Sequence, residues 1–169
     1  KRHNLTTENQ NENIQATQSV RSDLHIPTPS TLLNRSDLIA QITDKFKENE
    51  DIQTLALIGI GGAGKTTLAR QYAQQQKATV VWEINAATQG ELNASFEKLA
   101  AVLSTTDQDK KELKSIQNIK APQEREEALI QFTKVRLKAL SDWVLIFDNV
   151  EKLTNIQNYF PQDTHAWGS

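Results

Sequence analysis

One stretch of nine residues, Gly59-Ile60-Gly61-Gly62-Ala63-Gly64-Lys65-Thr66-Thr67, constrains this chain more than any other. It matches the pattern of Gly, any four residues and Gly-Lys-Thr, which joins a buried strand to a helix. The glycines let consecutive backbone N–H groups converge on phosphate oxygens, and the helix that follows adds the positive end of its dipole. The stretch therefore predicts an α/β fold built around a phosphate-binding loop.

The side chains at the end of the loop have separate predicted roles. The Lys65 ammonium can reach the β- and γ-phosphates of a nucleotide as a point charge. The Thr66 hydroxyl is an oxygen ligand of the kind that Mg²⁺ prefers, and Thr67 can donate to an α-phosphate. The predicted nucleotide-binding residues of the loop are Gly59, Gly61, Gly62, Ala63, Gly64, Lys65, Thr66 and Thr67.

A competing interpretation uses the same glycines. Gly59, Gly61 and Gly64 also spell the dinucleotide-binding pattern G-x-G-x-x-G, and Glu83 follows about 20 residues later, where a ribose-binding carboxylate is expected. That pattern gives no role to Lys-Thr directly after the third glycine. It also leaves unexplained the acidic residue after the third apolar strand, so the phosphate-loop interpretation is preferred.

That acidic residue is Asp148, which ends the apolar run Val-Leu-Ile-Phe at residues 144–147. An aspartate in this place is typical of a carboxylate that holds Mg²⁺ beside a nucleotide, together with the hydroxyl of Thr66. Asn149 stands where many such ATPases carry a second carboxylate, and an amide cannot act as a general base. Asp148 and Glu151 are therefore the predicted catalytic residues, and we expect slow hydrolysis or none.

Apolar periodicity predicts strands that alternate with amphipathic helices, which is typical of a parallel sheet flanked by helices, here a P-loop NTPase fold. The segment at 105–120 is polar and is predicted to be a surface excursion with a helical turn or two. The predicted strands are residues 53–58, 79–84 and 143–147; the predicted helices begin near residue 36 and at residues 65, 92 and 122.

Composition narrows the function classes. Residues 1–30 are rich in Asn, Gln, Thr and Ser, and are predicted to form a disordered tail or linker before a domain at 31–169. The net charge of −2 gives no indication of nucleic-acid or membrane contact through bulk charge. The chain has no cysteine, no signal peptide is visible, and no apolar run reaches the about 20 residues of a membrane span. We expect a cytoplasmic protein and, since the chain begins with lysine, a piece of a longer one.

Three segments resemble the NB-ARC family of signal-transduction ATPases. Residues 58–69 resemble its phosphate loop, and residues 144–150 (Val-Leu-Ile-Phe-Asp-Asn-Val) resemble its second motif. Leu33-Asn34-Arg35 is similar to the Val-Gly-Arg element that lies against adenine, with Asn34 in place of the glycine. The resemblance therefore adds Leu33 and Arg35 to the expected nucleotide-binding residues. No Asn-Lys-x-Asp sequence for guanine recognition is present.

The resemblance implies a switch that binds ADP or ATP with Mg²⁺ and works with other domains of the same longer protein. It also implies nucleotide-driven assembly into a homo-oligomer. The family places a sensor strand just after residue 169, between the strand of the phosphate loop and the strand that ends at Asp148, so the domain is expected to be truncated before it. The alternatives are a free-standing metabolic P-loop ATPase or kinase and, less favoured, an NAD-binding domain.

Overall fold

The computed structural model describes residues 19–22, 24, 35–47, 53–140 and 142–159. Helices and strands alternate along this part of the chain, as the periodicity predicts. In chain order they are β1 (Val20–Arg21), α1 (Ser36–Phe46), α2 (Lys65–Gln75), β2 (Val80–Asn85), α3 (Gln89–Leu103), α4 (Asp107–Gln117), α5 (Pro122–Lys138), β3 (Trp143–Asp148) and α6 (Leu153–Ile156).

The three strands form one parallel sheet in the order β1-β2-β3. β2 and β3 pair along their whole length, from Val80 opposite Trp143 to Asn85 opposite Asp148. Because both strands run in the same direction, their last residues lie side by side at the carboxyl edge of the sheet. The predicted parallel sheet of an α/β fold is confirmed.

The two faces of β2 bury different helices, since successive side chains of a strand point to opposite sides. Val80 and Ile84 are fully buried in the larger core, to which α3, α4 and α5 contribute. Val81 is fully buried on the other side, in a smaller cluster that includes Ala73 of α2. The helix that follows the phosphate loop is therefore packed directly against the sheet that carries Asp148.

The prediction of a buried strand at residues 53–58 is wrong. These residues adopt no regular structure, and Ile58 is 93% exposed. They form one wall of a cleft of about 1630 Å³ whose opposite wall is β3. An apolar sequence becomes a strand only where a neighbouring strand lies within pairing distance, about 4.8 Å. The cleft separates this segment from β3.

A piece of the expected tail is part of the sheet. The Val20 N–H donates to the Thr79 carbonyl at 2.8 Å, and the Ser22 N–H donates to the Val81 carbonyl at 3.0 Å. Leu24 is buried in the cluster under α2. Residues 20–22 therefore pair with the edge of β2 that faces away from β3. The other residues of 1–30 lie outside the described part of the chain, and the boundary near residue 30 stays a prediction.

The polar segment after α3 is more regular than expected, since α4 spans three helical turns. Thr106 and Asp109 form a reciprocal capping box at its start. The Arg136 guanidinium of α5 lies over the Phe132 ring and donates to Asp109 at 2.7 Å and to Glu112 at 2.8 Å. Hydrogen bonds from Thr106, and then from Arg136, lower the pKa of Asp109 to about 2.

Asp109 should make the stability of the fold dependent on pH. Its folded pKa lies below the unfolded value of about 3.9, so its contribution is complete above about pH 5 and is lost as the pH falls towards 2. We expect Asp109→Asn to lower the urea midpoint at pH 6, and the difference from wild type to shrink as the pH falls from 4.5 to 3. The exposed Asp107→Asn is the control on the same helix. An Asp109→Asn difference that stays constant with pH contradicts this account.

Candidate phosphate-binding site

The glycine loop makes a tight turn that leads directly into α2. Gly62 and Gly64 have φ values of +78° and +77°, in the left-handed region that glycine enters without steric cost. Gly64 is the residue before α2, and Lys65 is the first residue of the helix. The first N–H groups of a helix have no partners within it, so this end of α2 presents donors and a positive dipole to an anion. The predicted turn and helix start are confirmed.

The Lys65 side chain folds back over the loop. Its ammonium donates to the carbonyl oxygens of Gly59 at 2.8 Å and Ile60 at 2.9 Å. These bonds close the loop on itself and keep the positive charge beside the backbone donors. Both contacts are to neutral carbonyl groups, which attract an ammonium less strongly than a phosphate does.

Thr66 and Asp148 are in direct contact although 82 positions separate them in sequence. The Thr66 hydroxyl donates to a carboxylate oxygen of Asp148 at 2.8 Å. Thr66 lies in the first turn of α2, and Asp148 is the last residue of β3. The pair that the sequence assigned to one metal ion is therefore brought together, with two oxygen ligands within reach of a common point.

Asn149 follows Asp148 with a φ of +60°, an uncommon conformation that asparagine tolerates better than most residues. Its side-chain amide donates to the Asn85 side-chain oxygen at 3.1 Å. The Asn85 amide in turn donates to Glu91 at 3.2 Å. A hydrogen bond between two side-chain amides therefore links Asn149 to Asn85 at the end of β2. Asn85 was not among the predicted site residues, because only the strand register places it beside Asp148.

Most of the remaining predicted residues border the same cleft. Glu151 is exposed and lines the cleft just after the end of β3. Thr67, in the first turn of α2, lines the cleft as well. Ala63 and Arg35 contact each other, since the Arg35 guanidinium donates a hydrogen bond to the Ala63 carbonyl. Leu33 lies outside the described residues. The loop residues that border the cleft are Gly59, Gly61, Gly62, Gly64, Lys65, Thr66 and Thr67.

Glu83, the carboxylate that the dinucleotide interpretation requires, is engaged elsewhere. Arg70 of α2 donates to both of its oxygens, each at 2.6 Å. Both side chains are largely shielded from solvent, with 18% of Glu83 and 24% of Arg70 exposed. A ribose hydroxyl would have to compete with this bidentate ion pair, which argues against a ribose-binding role and against a freely solvated carboxylate.

The described residues contain no group of three or more His, Asp or Glu side chains arranged to hold a metal ion. Within the same ranges, no helix is long and apolar enough to cross a membrane.

The family model described as AAA domain matches residues 48–165, which is more than half of the chain and includes the loop, α2 and β3. No curated protein matches the chain. No solved structure matches it either.

The Arg70–Glu83 pair should stabilise the packing of α2 on β2. We expect Arg70→Gln and Glu83→Gln each to reduce the free energy of unfolding by about 1–2 kcal/mol, between the values for exposed and buried pairs. A double-mutant cycle in urea should give a clear coupling between them. The exposed Asp107–Lys110 pair, at 3.7 Å, is the control and should give a coupling near zero. Equal coupling in the two pairs would contradict a structural role for Glu83.

Proposed function

This chain belongs to the AAA domain family of P-loop NTPases, and we propose that it is the adenine-nucleotide-binding module of a signalling ATPase switch. The single observation that carries the proposal is the contact between Thr66 and Asp148 at 2.8 Å. It puts a hydroxyl and a carboxylate beside the loop whose backbone and Lys65 would bind the phosphates. We assign the nucleotide-binding role to the predicted loop residues and the catalytic role to Asp148 and Glu151.

The donor set fits Mg²⁺ delivered with the nucleotide. Mg²⁺ is usually held by one or two carboxylates together with substrate phosphates and water, and not by a cage of protein ligands. Thr66 and Asp148 offer one hydroxyl and one carboxylate oxygen, which suits this arrangement. When bound, the ion would neutralise charge on the β- and γ-phosphates. The chain itself would orient the phosphates through its backbone N–H groups and Lys65.

The switch assignment rests on the resemblance of the loop, of residues 144–150 and of Leu33-Asn34-Arg35 to the NB-ARC family. In that family, the bound nucleotide controls contacts with other domains and assembly into oligomers. We propose the same partners here: adenine nucleotide, other domains of a longer chain, and further copies of it, in the cytoplasm. The lack of a guanine-recognition sequence favours adenine.

Lys65→Ala tests the phosphate-binding role. The variant loses a charge-assisted contact to phosphate of about 1.5–3 kcal/mol, so affinity for ADP and ATP should fall roughly 10- to 150-fold. Titration calorimetry on the full chain measures this loss, with the exposed Lys98→Ala of α3 as a charge-matched control. Unchanged affinity in Lys65→Ala would overturn the assignment of the loop.

Slow hydrolysis follows from the residue after Asp148. Asn149 carries a neutral amide, which is too weakly basic to take a proton from an attacking water, and its N–H₂ group donates to Asn85. A nucleotide would then remain bound for longer than it takes a fast ATPase to cleave it, as a switch requires. Apart from Asp148, to which we assign the metal ion, Glu151 is the nearest acidic residue in sequence that could act as a base.

Asn149→Glu should therefore accelerate hydrolysis. A positioned general base contributes roughly 10²–10⁴-fold to a rate, and we expect at least about tenfold from a carboxylate introduced at this site. Single-turnover cleavage of ATP by the full chain gives the rates, with Asn149→Gln as the control that matches glutamate in length but not in basicity. If wild type already cleaves ATP as fast as Asn149→Glu, the missing base is not the limitation, and the slow-switch proposal fails.

A further inference from the structure

Arg35 is held against the phosphate loop, although it lies in a different part of the chain. It precedes α1, and its guanidinium donates to the Gly64 carbonyl at 3.1 Å and to the Ala63 carbonyl at 2.9 Å. The fit is close: a Cβ placed on Gly64 would lie 2.6 Å from one of the terminal nitrogens of Arg35. The positive φ of Gly64 favours glycine there, and a Cβ at this position would displace the end of the Arg35 side chain.

The direction of these two carbonyls determines the direction of the N–H groups that follow them. The described residues contain no cis peptide, and in a trans peptide the C=O and the next N–H point in opposite directions. With the Ala63 and Gly64 carbonyls turned to Arg35, the N–H groups of Gly64 and Lys65 point away from it. These N–H groups belong to the loop-to-helix junction, where phosphate oxygens bind.

We propose that Arg35 is a positioning residue that holds the loop in its phosphate-binding conformation, and that its side chain does not bind adenine. The inference rests on the proposed nucleotide-binding function and deepens it. The Gly64 carbonyl also accepts the helical bond from Leu68 at 3.0 Å, so the peptide between Ala63 and Gly64 depends more on Arg35 than the next one does. A planar fork with several donors reaches two adjacent carbonyls at once, which a lysine ammonium does less well.

The same contact joins the loop to α1. The Arg35 carbonyl accepts the first helical bond of α1, from the Ile39 N–H at 3.0 Å. Further along, Phe46 of α1 stacks on Tyr72 of α2, with ring centroids 5.7 Å apart. The start of α1 therefore contacts the loop through Arg35, and the end of α1 contacts α2 through Phe46. A movement of α1 would change the orientation of the N–H groups of the loop.

Binding of three ligands to the full chain tests the proposal: ADP, inorganic tripolyphosphate and adenosine. For Arg35→Ala, we expect affinities for ADP and tripolyphosphate to fall by the same factor, about tenfold, while adenosine binding is unchanged. The phosphate affinities of Arg35→Lys should lie between those of wild type and Arg35→Ala. Lys47→Ala, which removes an exposed cation just after α1, should match wild type. A loss confined to ADP and adenosine would show that Arg35 contacts the base and would overturn the proposal, as would no loss at all.

Hydrogen exchange of the loop without ligand separates positioning from direct phosphate contact. If Arg35 positions the loop, amides of residues 61–67 exchange faster in Arg35→Ala than in Lys47→Ala, while the amides of β2 and β3 are unchanged. Unchanged exchange in the loop overturns the proposal, even if phosphate affinity falls. A wild-type chain that binds no ligand would contradict the proposed function, and the exchange rates would still decide the role of Arg35.

Discussion

The contact between Thr66 and Asp148 is the point on which the site depends, because it joins two elements that no local interaction would bring together. α2 supplies the hydroxyl and β3 the carboxylate, and 82 positions separate them. The contact exists because β3 pairs along its whole length with β2, while α2 packs on the opposite face of the sheet from α3 and α5. The ion pair between Arg70 and Glu83 fastens α2 to the middle of β2. Core packing and charge pairing therefore cooperate to place the glycine loop beside the carboxylate of Asp148.

The same edge of the sheet supports our proposal that the site binds a nucleotide and cleaves it slowly. Asp148 and Asn85 end adjacent strands, and the register puts Asn149 within hydrogen-bonding distance of Asn85. Two amides facing each other form a neutral pair with no proton acceptor of useful basicity. The loop and Asp148 therefore lie together, whereas the position after Asp148, from which a base would act in our proposal, holds an amide. We regard this combination as the chemical basis of the proposed switch.

Features set by consecutive residues were predicted well from the sequence, and features set by distant partners were not. The glycine turn, α2, β2 and β3 follow from local chemistry and apolar patterns. The segment at 53–58 has the apolar content of a strand, but no strand of the described part lies beside it. β1 has only two residues, too few to show an apolar pattern in the sequence. It is a strand because backbone N–H groups at residues 20 and 22 donate to the carbonyls of Thr79 and Val81. The carboxylate of Glu83 was visible in the sequence, but its partner Arg70 is chosen by the packing of α2 on β2.

The central claim is that the loop and the end of β3 form one nucleotide site. Amide chemical shifts of the ¹⁵N-labelled chain, recorded during titration with ADP and then Mg²⁺, test it most directly. The account predicts that ADP shifts the amides of residues 61–67, and that Mg²⁺ then adds shifts at Thr66 and Asp148. Shifts centred on Glu83, with the Lys65 and Thr66 amides unmoved, would contradict it, and so would the absence of any shift at saturating ADP.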